Sequence, residues 1–173
     1  MSLTDATNHL SGLAEVPTVS GEFDFLVGHW RVDNRRLVAP LAGGHEWLSS
    51  TAIATSRIQH GGAISIDEMW YPEQGFAGTS VRLRSPDGSW TIYWVNSSTG
   101  LLQAPVTGRW DESGARFVAT GTDEFEGREI LARFLWHSIG SAQATWEQAF
   151  SVDDGVTWET NWVMTWDRER RPS

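Results

Sequence analysis

Several polar side chains sit among tryptophans at spacings that suit a small-molecule site. Glu68 stands two residues before Trp70, Gln148 two after Trp146, Asn96 two after Trp94, and His45 two before Trp47. In an extended chain a separation of two puts both side chains on one face of the sheet, so each polar group shares a surface with an indole. A carboxylic acid desolvated among indoles has its pKa raised, which suits general acid or base chemistry. Glu68 is therefore the candidate catalytic residue. His45, Glu68, Asn96 and Gln148 are the candidate ligand-binding anchors, and Trp47, Trp94, Trp146, Trp162 and Met164 the apolar walls. An apolar wall carrying a few polar groups is how small-molecule pockets are generally built. A single β-bulge would reverse the inward parity of a strand. The polar set then becomes Asp67, Tyr93, Arg133, Glu147 and Asn161.

Composition removes other chemistries. With no Cys there is no thiolate nucleophile, disulfide framework or Cys-based metal site. All 13 cationic side chains are Arg, so mechanisms that need a lysine Schiff base or a P-loop lysine are excluded. The His residues show no His-Glu-x-x-His spacing and there is no Gly-x-Ser-x-Gly, so neither a metal nor a serine nucleophile is expected. A formal net charge of -9 disfavours nucleic acid and anionic membrane, which are bound through cationic patches. A small neutral or cationic ligand fits that charge better.

The elements that must position these residues are strands. Turn signals recur at short intervals: Gly43-Gly44, Gly61-Gly62, Asp87-Gly88, Ser113-Gly114, Glu126-Gly127 and Asp154-Gly155. Each offers a Gly able to take positive φ, as hairpins need. The segments between them alternate in polarity and favour β-branched and aromatic residues. They predict about ten strands near 29–38, 45–58, 63–71, 76–84, 89–96, 102–110, 115–121, 128–138, 143–151 and 156–167. A meander of that length hides its two edges by closing on itself, and about ten strands leave room inside for a ligand. The fold expected is all-β: a closed antiparallel up-and-down β-barrel with a short N-terminal helical turn. At 173 residues one domain is the expectation. It spans 21–168, after a loosely ordered lead-in over 1–20 and before a charged tail over 169–173.

The 11 tryptophans indicate which face looks inward. Trp158, Trp162, Met164 and Trp166 fall at even spacing, as do Trp90, Ile92, Trp94 and Asn96. Burying a Trp removes roughly 150–250 Å² from water, a gross gain of about 4–6 kcal/mol. The Trp-rich face should therefore be the lumen, with Trp30, Trp90 and Trp158 serving as plug and hairpin supports. Ser151-Val-Asp153-Asp-Gly155-Val-Thr157-Trp158 matches the Asp-box pattern of sialidase propellers, where Asp and Ser brace a hairpin over the Trp. It occurs once here, with a partial echo at Ser85-Pro-Asp87-Gly-Ser89-Trp90, and reads as a hairpin device.

Phe23-Asp-Phe-Leu-Val-Gly28-His-Trp30 resembles the Gly-x-Trp opening of lipocalin and calycin barrels. In those barrels the Gly allows close chain approach and the Trp plugs the closed end beneath a late Arg, a part that Arg168 would take here. With Ile92-Tyr-Trp94-Val-Asn96, Trp146-Glu-Gln148-Ala-Phe150 and Thr157-Trp-Glu-Thr-Asn-Trp162, the chain from Glu22 to Arg168 is similar to an uncharacterised bacterial lipocalin-like family of domains of unknown function. More distantly it is similar to nitrobindin barrels. The resemblance implies the barrel and supplies no catalytic residues. Nitrobindins bind haem, but no residue here matches their iron-ligating His, so haem is a side hypothesis and no cofactor is expected.

The function expected is binding of a small hydrophobic or aromatic metabolite in a Trp-lined cavity. The alternative is a cofactor-independent cyclase or isomerase acting on a natural-product-like substrate through Glu68 or Glu147. Residues 1–20 carry no basic and apolar leader pattern, so the expected location is cytoplasmic, as a monomer or homodimer.

Overall fold

The computed structural model describes residues 17–169. Residues 1–16 of the lead-in expected over 1–20, and 170–173 of the tail expected over 169–173, lie outside the described residues. A single 3₁₀ turn, Asp24–Leu26, leads into eleven strands: β1 (Gly28–Leu37), β2 (Trp47–Gln59), β3 (Ile64–Tyr71), β4 (Phe76–Arg84), β5 (Trp90–Asn96), β6 (Leu101–Leu102), β7 (Val106–Trp110), β8 (Phe117–Phe125), β9 (Arg128–His137), β10 (Gln143–Ser151) and β11 (Glu159–Arg168). A second 3₁₀ turn, His60–Gly62, links β2 to β3. All pairings are antiparallel.

Strands follow one another around the sheet, β11 returns to β1, and β4 pairs with β5, so ten strands form a closed up-and-down ring. The two-residue β6 is appended to β5 at the rim. The expected strand over 102–110 breaks between β6 and β7 at Gln103–Pro105, where Pro105 has no N–H to donate to a ladder. The architecture fits the lipocalin-like barrels.

Period-two alternation sorts the side chains. On β1, Trp30, Val32 and Asn34 are buried, while His29, Arg31, Asp33 and Arg35 face water. Register carries this parity around the wall: Trp30 is opposite Ala54, Ala54 opposite Met69, and Met69 opposite Gly78. Small inward residues on β2, Ala52 and Ala54, make room for the larger chains on either side. No helix among the described residues is long and apolar enough to cross a membrane.

One end of the barrel is sealed. Phe23 packs edge-on against Trp90 at 4.7 Å and Phe117 at 5.2 Å, and the Trp30 indole donates to the Leu26 carbonyl at 2.6 Å. Arg168 stacks over Trp30 at 4.1 Å and donates to the carbonyls of Phe25, Val27 and Ser141. Gly28 sits at φ +123, where an added Cβ would come within 2.8 Å of the Arg168 guanidinium. The Gly-x-Trp element and its late Arg thus form one plug. Glu22 completes it by accepting from Ser20, Arg84 and Trp90. Burial pushes its carboxyl up, but these three hydrogen bonds outweigh that and hold it below the usual range.

The Asp-box octapeptide is also a hairpin brace. Asp153 accepts from the hydroxyls of Ser151 and Thr157 and from the Thr157 N–H, while the Trp158 indole donates to the Gly155 carbonyl at 2.9 Å. The Thr157 bonds, then the Ser151 hydroxyl, lower the Asp153 carboxyl to about 2.

Candidate functional site

Away from the plug the lumen opens into a void of about 560 Å³ with its mouth included. Within it about 40 Å³ is far enough from every wall to hold the centre of a water molecule, room for about three waters. The space is narrow because indoles crowd it. Trp146 packs edge-on against Trp162 at 5.2 Å and against Phe134 at 5.0 Å, and Trp94 stands 6.4 Å from Trp162. Trp136 and Trp166 lie 5.3 Å apart at the deeper end.

The charged and phenolic groups at this site come from β1, β3 and β4. Asp67 and Arg82, both buried, form an ion pair in which the Arg82 Nη1 meets the Asp67 carboxylate. The Arg82 guanidinium also lies 5.3 Å from the Phe23 ring of the plug and 5.9 Å from the Trp136 ring, which makes it the floor of the void. Tyr71 is buried beside them. Desolvation raises its phenol to about 12 despite the opposing pull of Arg36, so it is a neutral donor at ordinary pH. The Arg36 guanidinium lies 3.4 Å over the Trp162 ring and 5.6 Å from Tyr71. Burial lowers its pKa from the usual arginine value, though an arginine remains charged at ordinary pH. Asn34 fixes Trp162 by accepting its indole N–H at 3.0 Å.

Of the residues read from the sequence, Trp94, Trp146, Gln148, Trp162 and Met164 border the void. Gln148 donates to Asn161 at 2.9 Å. The remaining assignments are corrected. Glu68 faces outward and is exposed, with Arg57 at 3.8 Å, because its neighbour Asp67 takes the lumen side opposite Ser56. The apolar pattern Ile64, Ile66, Trp70 had pointed to the lumen. These residues instead lie on the outer surface, where Trp70 pairs with an exposed Ile53. Trp47 is also outside, stacked under Arg35 at 5.1 Å, and His45 is exposed in the loop before β2. Asn96 spends its side-chain oxygen on the N–H and hydroxyl of Ser98, capping a turn at the rim.

The bulge-reversed set is split. Asp67 is inward, and Asn161 is buried as the extra residue of a bulge opposite Gln148 and Ala149. That bulge also separates Trp158 from the parity of Trp162, leaving Trp158 under the hairpin with Arg133 at 4.5 Å. Tyr93 pairs with the outward Val81, and Glu147 meets His137 at 3.1 Å on the outer wall. Both carboxylates named for cyclase or isomerase chemistry, Glu68 and Glu147, therefore stand outside the lumen.

Sequence reasoning missed Arg36, Tyr71, Arg82 and Trp136, and it put Trp166 on the inward face without assigning it to the site. Counting in twos from the plug residue Trp30 would have reached Asn34 and Arg36.

A haem iron in the lumen would need an axial ligand there. His29, His45, His60 and His137, the histidines among the described residues, lie outside the lumen, and the void is too narrow for a macrocycle; the site does not fit haem. Among the described residues no group of three or more His, Asp and Glu could hold a metal.

The fold and site define a closed β-barrel with one plugged end and an aromatic, arginine-bearing pocket at the other. No family model matches the chain, and no curated protein matches it.

Proposed function

We propose that this barrel binds a small, flat, largely apolar molecule in its lumen. The observation that carries this reading is the void itself: a mouth open to solvent leads to walls of Trp94, Trp146, Trp162 and Met164. A plugged barrel built only for stability would fill that end as it fills the other, since cores close-pack and voids cost stability. The charged pair Asp67–Arg82 lies at the floor and Gln148 stands on the wall, a small number of polar groups of the kind that orients a ligand in an apolar site.

The experiment is native mass spectrometry of freshly purified protein, paired with a tryptophan-fluorescence titration using naphthalene. A bound mass released on denaturation, or saturable quenching by the probe, is the expected result. Protein that carries no small molecule and whose emission ignores the probe would overturn the reading.

A further inference from the structure

Among the buried polar atoms of residues bordering the void, those without a hydrogen-bond partner are three donors and one acceptor, Asp67 Oδ1, whose neighbour is the Arg82 Nη1. Arg82, Trp136 and Trp166 are 3%, 1% and 1% exposed, and all three border the void. Arg82 Nε, Trp136 Nε1 and Trp166 Nε1 each lack a protein acceptor. A buried donor left unpaired costs about 1–3 kcal/mol, and the great majority of buried polar groups are satisfied by protein or water. Three such groups around one space call for oxygen atoms inside it.

The chain is acidic overall, and by register the lumen face also carries carboxylates at Asp123, opposite Ile130, and Glu159, opposite Phe150; at the floor of the void the charged groups are Arg82 and Asp67. Asp67 is engaged by Arg82. Arg36 has aromatic rings for neighbours, no carboxylate among the described residues within ion-pair distance, and a buried Nη2 without an acceptor. Arg36 is thus a guanidinium of the lumen face that stands over Trp162 without a counter-charge in contact, next to the void and not among the residues bordering it.

We infer that the ligand of this lumen is an aromatic carboxylate, whose oxygens accept from Arg82 Nε and the Trp136 and Trp166 indoles while its ring lies among the tryptophans. This rests on the binding function proposed above and specifies its ligand class. Hydrogen bonds between a guanidinium and a carboxylate are about twice as strong as neutral ones. A phosphate brings a second charge, for which the lumen offers one unneutralised guanidinium. A cation meets Arg82 first.

The test titrates the full chain, carrying ¹⁵N-labelled tryptophan, with benzoate, toluene and benzylamine. Benzoate is expected to bind at least about tenfold more tightly than either neutral toluene or cationic benzylamine. It should move two indole N–H signals downfield, assigned to Trp136 and Trp166 by W136F and W166F. Arg36→Met should weaken benzoate about fivefold or more while leaving toluene within about twofold. Toluene binding as tightly as benzoate would overturn the carboxylate assignment and leave the binding function standing. Benzoate preferred without movement of either indole signal would remove the floor from the inference. No saturable binding of any of the three probes would overturn both.

Discussion

Removing the Arg168 side chain should open the plugged end of the barrel at a cost that the geometry allows to be worked out. Its Nη2 donates to the part-buried carbonyl of Phe25 at 2.6 Å, a charged hydrogen bond contributing about 1.5–3 kcal/mol. The bonds to Val27 at 2.6 Å and Ser141 at 2.8 Å are exposed, so water replaces the lost donor and each contributes about 0.5 kcal/mol. Stacking over Trp30 at 4.1 Å adds about 1 kcal/mol. Arg168→Ala should therefore destabilise the barrel by about 4 kcal/mol, lowering Tm by about 8–16 °C for a domain of this size.

Urea unfolding followed by tryptophan fluorescence measures this directly, the midpoint falling while the slope stays constant. Arg168→Lys separates charge from shape. An ammonium cannot reach three carbonyls from one planar fork, so it should recover less than half of the loss. If Arg168→Ala lost less than about 1 kcal/mol, the strand network alone would hold the end shut, and the plug described for Gly28, Trp30 and Arg168 would be mistaken.

Other perturbations have equally definite outcomes. Asp67→Asn leaves the Arg82 guanidinium buried without a counter-charge and should cost about 3–5 kcal/mol in urea unfolding. The double change D67L/R82M should cost far less, and equal losses would show that something other than a stranded charge is responsible. Glu68→Gln, on the exposed outer wall, should alter stability by less than about 0.5 kcal/mol and leave probe binding unchanged; a tenfold loss of probe binding would return Glu68 to the site. The Asp153 carboxyl is lowered to about 2 from an ordinary 3.8. Its contribution to the 151–158 hairpin should thus be complete above pH 4 and lost as pH falls through 2. The protection factor of the Thr157 amide, its exchange rate relative to the intrinsic rate at each pH, should fall between these limits on acidification in wild type and be low throughout in Asp153→Asn.

The barrel was legible because its signals are local and redundant. Glycine turns, alternating polarity and the plug motif each point to the same closed meander, and no single misread position disturbs it. Inward parity has no such redundancy, since a shift of one residue exchanges every side chain of a strand. On β3 both faces carry large residues, and the outer one, with Ile64, Ile66 and Trp70, is the more apolar in composition. The buried face is Ser65, Asp67, Met69 and Tyr71. Hydrophobicity picked the wrong side there because the inner face is polar for a reason that lies on other strands: Arg82 on β4 neutralises Asp67, and Arg36 on β1 covers Tyr71.

Those partners lie fifteen and thirty-five residues away in the chain, and no periodicity within one strand reveals them. On β11 the even spacing alone puts Trp158 with Trp162, and it is the Asp-box pattern that assigns Trp158 to the hairpin. The bulge at Asn161 lets Trp162, Met164 and Trp166 face inward while releasing Trp158 to the hairpin, and nothing in the even spacing of the four residues records the extra one. The tryptophans therefore have different tasks according to which group holds the indole N–H. Trp30, Trp90 and Trp158 donate to Leu26, Glu22 and Gly155 and are structural. Trp162 donates to Asn34 and is a fixed wall. Trp136 and Trp166, which border the void, have N–H groups without a protein acceptor, as does Trp110, which packs against Phe23 of the plug and does not border the void. Five of the fifteen residues bordering the void are tryptophan, so apolarity does not separate these tasks, whereas the partner of each indole N–H does.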